Sequence, residues 1–347
     1  MSDVSSPPAV APARIGAGRW FVAAVILVIV ALAGLLVGSV ALSPVEVIKA
    51  LADRLPFVTV EHGLSEVETR LLFELRMPRV VIGGLVGAVL AVAGAGYQGV
   101  FRNPLADPYL LGVAAGAGLG ATAVIGLGAG SAAIPLVAFV GGIAAVGATY
   151  ALSRTVGGRT ITTLILAGVA VAAFATAVQT FLLQRNYETL REVYSWILGR
   201  LVTVGWSEVW TLVPYALAAA TVLVLMRRLL DVLGLGDEEA AGLGVDVMRV
   251  RRLVVLAATL ATAAAVSVSG LIAFVGIIVP HTIRLLAGWS YRVIIPLSLV
   301  YGASFLILAD LAARTVVAPA ELPIGVVTAF LGAPFFLLVL RSMRGSS

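Results

Sequence analysis

Side chains able to do chemistry are sparse in this chain, and their positions say more than their number. His62 and His281 are the only histidines and cysteine is absent. Disulfides, thiolate metal sites and a cysteine nucleophile are therefore excluded. The only lysine, Lys49, follows Ile48, so no Gly-Lys-[Ser/Thr] of a Walker A loop exists and ATP cannot be cleaved by that chemistry. "GAGYQG" at 94–99 matches G-x-G-x-x-G by letter. It follows an apolar run and precedes a polar turn, outside any βαβ unit, so close helix packing explains it better. Gly83/Gly87 and Gly112/Gly116, at four-residue spacing, read the same way. Ser/Lys, Asp/Asp or histidine clusters are missing from the apolar segments, which excludes an intramembrane enzyme.

The remaining polar residues mark positions. Asn103-Pro104 and Asp107-Pro108 each favour a turn, and each proline pushes its predecessor away from helix. Such a turn is an ordinary tight loop or part of a pore closure. Thr176, Gln179 and Thr180 fall at helical spacing on one face, either lining a water-filled path or hydrogen-bonding to another helix. Arg76, Arg79 and Arg314 sit at the ends of apolar runs, where guanidinium groups snorkel or meet a carboxylate partner. Asp310 lies deep enough to carry protons or to pair with Arg314 at i+4. Glycines 234, 236, 242 and 244 bracket Asp237-Glu238-Glu239-Ala240-Ala241, whose acids suit the first turn of a helix.

The elements that must hold these residues are membrane spans. Of 347 residues, 61% are hydrophobic and only 12% charged, against about 25% charged in soluble domains. The expected fold is an all-α polytopic membrane protein with ten spans: 20–41, 80–100, 109–127, 133–152, 161–184, 208–228, 250–269, 272–287, 293–312 and 322–341. Most arginines then lie on the side of the two termini, which makes that side cytoplasmic. This explains the net charge of +5 without nucleic acid. His62 and His281 fall on opposite sides, so they cannot share a metal. Residues 1–19 read as a disordered cytoplasmic tail and 342–347 as a short C-terminal one. Ser39-Val40-Ala41 resembles a cleavage site, but the apolar run before it is longer than a signal-peptide core, so an uncleaved first span is expected. The 42–79 segment is expected outside, with a helix from Ser43 towards Leu55 started by a Ser43/Glu46 capping box.

"RMPRVVIGGLVGAVLAVAGAGYQGVFRNPLADPYLLGV" (76–113) resembles the signature region of the FecCD family, permeases of binding-protein-dependent ABC importers for ferric siderophores, haem and cobalamin. The resemblance continues in "LILAGVAV" (164–171), "GDEEAAGLGV" (236–245), "GLIAFVGIIVPHTIRLLAG" (270–288) and "ADLAARTVVAPAELPIGVVTAFLGAPFF" (309–336). It covers 20–341 in order, and the family has ten spans with both termini inside.

The resemblance implies roles. Asn103, Pro104 and Leu105 match the cytoplasmic gate, and Ile161 and Thr162 match its second segment, where Ile161 departs from the small polar pair usual there. Thr176, Gln179 and Thr180 fall in the translocation path. Arg76, Arg79 and Arg314 match arginines that receive carboxylates of the substrate-binding protein. Residues 229–249 match the loop that couples to the ATPase, through Gly236, Asp237, Glu238, Glu239, Ala240, Gly242 and Gly244. The implied assembly is a homodimer in the cytoplasmic membrane, with two ATP-binding subunits, an extracytoplasmic binding protein and no cofactor. The expected cargo is a ferric siderophore, with cobalamin and haem as alternatives. An ion-coupled secondary transporter is the competing class; it would need midplane carboxylates and paired broken helices, and only Asp310 comes close.

Overall fold

Apolar runs of this length can cross a bilayer only as structures that satisfy their own backbone groups. The computed structural model, which describes residues 15–38, 40–155, 160–201 and 205–344, meets that demand with helices, and no strand occurs among the described residues. The predicted tails lie largely outside this range, at 1–14 and 345–347. In chain order the helices are α1 (Ala17–Leu36), α2 (Pro44–Asp53), α3 (Glu66–Arg70), α4 (Met77–Phe101), α5 (Val113–Gly126), α6 (Ile134–Thr155), α7 (Ile161–Arg185), α8 (Leu190–Ile197), α9 (Ser207–Leu233), α10 (Asp237–Gly242), α11 (Val247–Ser269), α12 (Val275–Ala287), α13 (Tyr291–Thr315) and α14 (Ile324–Arg344).

Among the described residues, seven segments are long and apolar enough to cross a membrane: 17–36, 66–101, 131–155, 161–185, 207–233, 247–269 and 291–315. The other three predicted spans appear as shorter apolar helices at 113–126, 275–287 and 324–339. At 1.5 Å per residue, α5 and α12 reach only about 20 Å, less than the roughly 30 Å of hydrocarbon. Each has lost a turn at its start. Before α5, Asp107 caps a 3-10 turn over Pro108–Leu111, and Gly112 at φ 84° resets the direction. Before α12, residues 270–274 are non-helical, with Gly270 at φ 68° and Phe274 at φ 70°.

Buried irregular backbone needs partners, and the two breaks supply them to each other. The Tyr109 hydroxyl donates to the Ile272 carbonyl at 2.9 Å and accepts from the Ile272 N–H at 3.1 Å. The Ser269 carbonyl accepts from the Arg200 N–H at 2.8 Å.

The second span begins earlier than the sequence reading placed it. A capping box of Ser65 and Glu68 opens α3, and a π-helical segment, Leu71–Arg76, joins it to α4. The apolar helix therefore runs from Glu66 to Phe101, and part of the expected outer segment is its first turns. The box predicted at Ser43/Glu46 is not formed. α2 is present, but Ser43 makes no side-chain cap. Glu46 instead accepts from the Gly63 N–H and from Lys49 at 2.9 Å. These bonds hold its carboxyl below the usual range, the Gly63 N–H most of all, and fasten the outer loop onto α2.

The core forms around α4, with α13, α11, α9 and α12 against it. A Cβ at Gly94 would stand 2.1 Å from the Gly276 carbonyl oxygen, and one at Gly87 2.2 Å from that of Gly302. Only hydrogen fits between such backbones, as in other small-residue contacts in membranes. "GAGYQG" is thus a packing surface. Of the predicted pairs, Gly87 and Gly116 make such contacts, whereas Gly112 is a turn residue.

Candidate functional site: two charged clusters and a gate turn

At the outer end, five charged side chains from distant parts of the chain converge. α13 presents Asp310 one turn before Arg314, and their closest approach is 3.0 Å. Arg79, near the start of α4, meets the same carboxylate through Nε at 3.0 Å and Nη2 at 2.9 Å. Its other edge grips Glu321, at 3.1 Å through Nη1 and 2.9 Å through Nη2. Arg314 also donates to the Val37 and Gly34 carbonyls, each at 3.1 Å. Arg76 is buried and donates to the carbonyls of Leu35 at 2.8 Å, Leu36 at 3.0 Å and Val40. Two guanidinium groups thus satisfy the carbonyls that α1 leaves open at its C-terminus. All three arginines and Glu321 line a concavity of about 420 Å³ on this face.

At the other end, α4 stops at Arg102, which has left-handed φ 50°, and the Asn103 N–H returns to the Gln98 carbonyl at 3.2 Å. This is the bond of a Schellman ending on a residue other than glycine. The Asn103 side chain then accepts from the Leu105 N–H at 2.9 Å and the Ala106 N–H reaches the Asn103 carbonyl at 3.1 Å. The predicted turn is rigid for these reasons. Asp107 closes it by accepting from the Tyr109 N–H at 2.8 Å, and burial pushes its carboxyl up to about 6.

Beneath the turn, buried Gln98 donates to the Gly276 carbonyl at 2.9 Å and accepts from Arg284 of α12. Arg284 is itself buried and also donates to the Tyr291 hydroxyl at 3.2 Å. Nothing in the spacing of Gln98 and Arg284 predicts this pairing, since it depends on α12 crossing α4.

Of the residues expected to couple to an ATPase, Asp237, Glu238, Glu239, Ala240 and Gly242 lie in α10, Gly236 is its N-cap at φ 138°, and Gly244 follows its end. Ala240 is buried against the core, whereas Glu238, Glu239, Gly242 and Gly244 are exposed, flanked by exposed Leu235 and Leu243. Asp237 is 44% exposed and reaches back towards α11 and the end of α4. One of its oxygens lies 2.8 Å from Arg251 of α11 and 3.2 Å from Arg102. α10 is therefore paired with the residue immediately before the Asn103-Pro104 turn. Sequence reading missed Arg102 and Arg251; the visible signal was unclaimed arginines beside an acidic helix start.

α7 divides its predicted polar face. Gln179 turns inward and donates to Thr122 of α5 at 2.9 Å, in space left by Gly118. Thr176 and Thr180 stay exposed, with the Thr180 hydroxyl on the Thr176 carbonyl at 2.9 Å. At the start of α7, Thr160 caps the helix through the Thr163 N–H at 3.2 Å; Thr162 is exposed and Ile161 half-buried against the core.

Comparison with known proteins matches this architecture. A family model, the FecCD transport family, covers residues 26–342. The chain is 41% identical over 282 residues to the cobalamin import system permease protein BtuC of Halobacterium salinarum, covering 81% of this chain and 76% of the relative. It is 37% identical over 295 residues to the Fe(3+)-citrate import system permease protein YfmD of Bacillus subtilis, covering 85% and 88%. A metal-chelate type ABC transporter solved in an inward-facing conformation superposes with TM-score 0.82 at 29% identity, covering 93% of this chain and 98% of that one.

Proposed function

Because the chain belongs to the FecCD transport family and is a multi-pass protein of the cytoplasmic membrane, we propose that it is the permease subunit of an ABC importer carrying a ferric siderophore inward. Two copies enclose the path, two ATPase subunits sit beneath, and a binding protein delivers cargo from outside. The observation that carries this reading is the bonded route at the cytoplasmic end. Exposed α10, with Leu235 and Leu243 as apolar contacts, is tied through Asp237 to Arg102 and so to Asn103-Pro104-Leu105. A partner that shifts α10 on binding ATP would bias the gate by binding its two positions unequally.

The second gate segment is Ile161 and Thr162, and Thr176 and Thr180 face the path. Arg76, Arg79 and Arg314 form the floor on which the binding protein's carboxylates dock. The relatives named for cobalamin and for Fe(3+)-citrate are 41% and 37% identical, a gap too small to decide cargo. Ferric siderophore is the first choice, and cobalamin or haem would use the same path. The ion-coupled alternative loses its best residue, since Asp310 is committed to two guanidinium groups.

Purification from native membranes tests the proposal. An ATP-binding subunit should come down in equal amount, and the reconstituted complex should take up ferric siderophore only with ATP and binding protein. ATP-independent uptake by this chain alone would sink it.

A further inference from the structure

Resting on the docking reading above, we propose that Glu321 is an internal stand-in for the binding protein's carboxylate, and that docking proceeds by carboxylate exchange on Arg79. The geometry of the outer cluster leads there. A guanidinium has five N–H donors. Arg79 spends two on Asp310 and two on Glu321. An incoming carboxylate can gain a bidentate grip only if one of these leaves. The two differ in how easily they go. Asp310 has 3% of its side chain exposed and is shared with Arg314, so its removal would leave buried charge poorly compensated. Glu321 has 49% of its side chain exposed and, among the described residues, forms its ion pair with Arg79 alone, so water receives it at small cost.

Arg76 and Arg314 lend the docking floor their charge, but the carboxylate exchange itself falls to Arg79. Arg76 and Arg314 are occupied by carbonyls at the end of α1. The concavity of about 420 Å³ beside them, walled by Leu71, Leu75 and Pro319, gives the arriving group a place next to the edge of Arg79 that Glu321 vacates. Glu321 precedes Leu322, whose N–H is held by the Ala313 carbonyl at 2.9 Å, and Ile324, held by Gly199 at 3.2 Å. Its release therefore frees a side chain just before α14 without unfastening the helix. The device keeps the arginine satisfied when no partner is present and reserves the site for a carboxylate of matching reach.

The test uses the permease–ATPase complex in lipid nanodiscs and the binding protein that supports its uptake. Docking affinity is measured for wild type, Glu321→Gln, Glu321→Ala and Arg79→Gln, each checked for thermal stability. Removing the competing charge should tighten docking about two- to fivefold in both Glu321 variants, the range expected of one exposed ion pair, and Arg79→Gln should weaken it. Unchanged or weaker docking in both Glu321 variants, with docking lost in Arg79→Gln, would overturn the exchange and leave the docking reading standing. Unchanged docking in Arg79→Gln as well would overturn the docking reading itself.

Discussion

The outer and inner charged clusters are built from the same parts. Each centres on one aspartate shared by two arginines: Asp310 with Arg79 and Arg314, and Asp237 with Arg102 and Arg251. Their surroundings differ. The Asp310 side chain is 3% exposed and that of Asp237 is 44% exposed. In the buried cluster, losing the aspartate leaves Arg314 with carbonyls alone and Arg79 with Glu321 alone where little water reaches, so the set acts as an anchor between α4, α13 and α1. In the exposed cluster water replaces a lost partner, so the same bonds can break and re-form at little cost. The burial of one shared carboxylate decides whether a triad holds its helices firmly or can exchange its partners for water.

Replacing the anchor should have the largest effect. Asp310→Ala takes the shared carboxylate from two largely buried arginines and is expected to cost about 3–5 kcal/mol, read as a sharp fall in melting temperature and in folded yield. A loss under about 1 kcal/mol would erase the contrast. Asp107, beside the Asn103-Pro104 turn, is an intermediate case. Its carboxyl is raised to about 6 in the fold, so the neutral form is favoured. That contribution is complete below the unfolded value and is lost as pH rises through 6. Asp107→Asn keeps the cap on Tyr109 and never ionises. It should stabilise the protein by about 1–3 kcal/mol at pH 7.5 and by little at pH 4. Melting curves of both proteins at the two pH values decide this, and a gain independent of pH would mean the carboxyl is not the cause. The smallest stability effect belongs to the exposed triad. Asp237→Asn should cost no more than about 1 kcal/mol while lowering transport per ATP hydrolysed several-fold. Salt sharpens the comparison further, because 1 M NaCl should weaken coupling between Asp237 and Arg102 in a double-mutant cycle and leave that between Asp310 and Arg79 almost intact.

Local patterns were legible in the sequence and distant pairings were not. Apolar runs located the helices, and Asn103-Pro104 and Asp107-Pro108 located the turn, because both depend on neighbours within a few residues. Asp310 and Arg314 were readable as a pair for the same reason. Arg79 and Glu321 were not, since each reaches Asp310 or the other only after α4 and α13 pack together. The capping box was assigned to Ser43 when Ser65 carries it, because both stretches offer serine three residues before glutamate. What separated them was the tertiary bond from Gly63 to Glu46. The shortening of α12 was also hidden, because the residues between Gly270 and Val275 are apolar and their irregular backbone is paid for by Tyr109, far away in the chain.

The fastening of α1 by Arg76 and Arg314 changes how the outer face should be counted. By side chains alone, three arginines against Asp310 and Glu321 leave one positive charge. The C-terminus of a helix, however, behaves as roughly half a negative charge, and that end of α1 lies within the cluster. The resting face therefore offers a partner only about half a unit of attraction. Release of Glu321, as the exchange proposal requires, would roughly triple it, and the surface would then turn strongly basic only as a partner's own acid arrives.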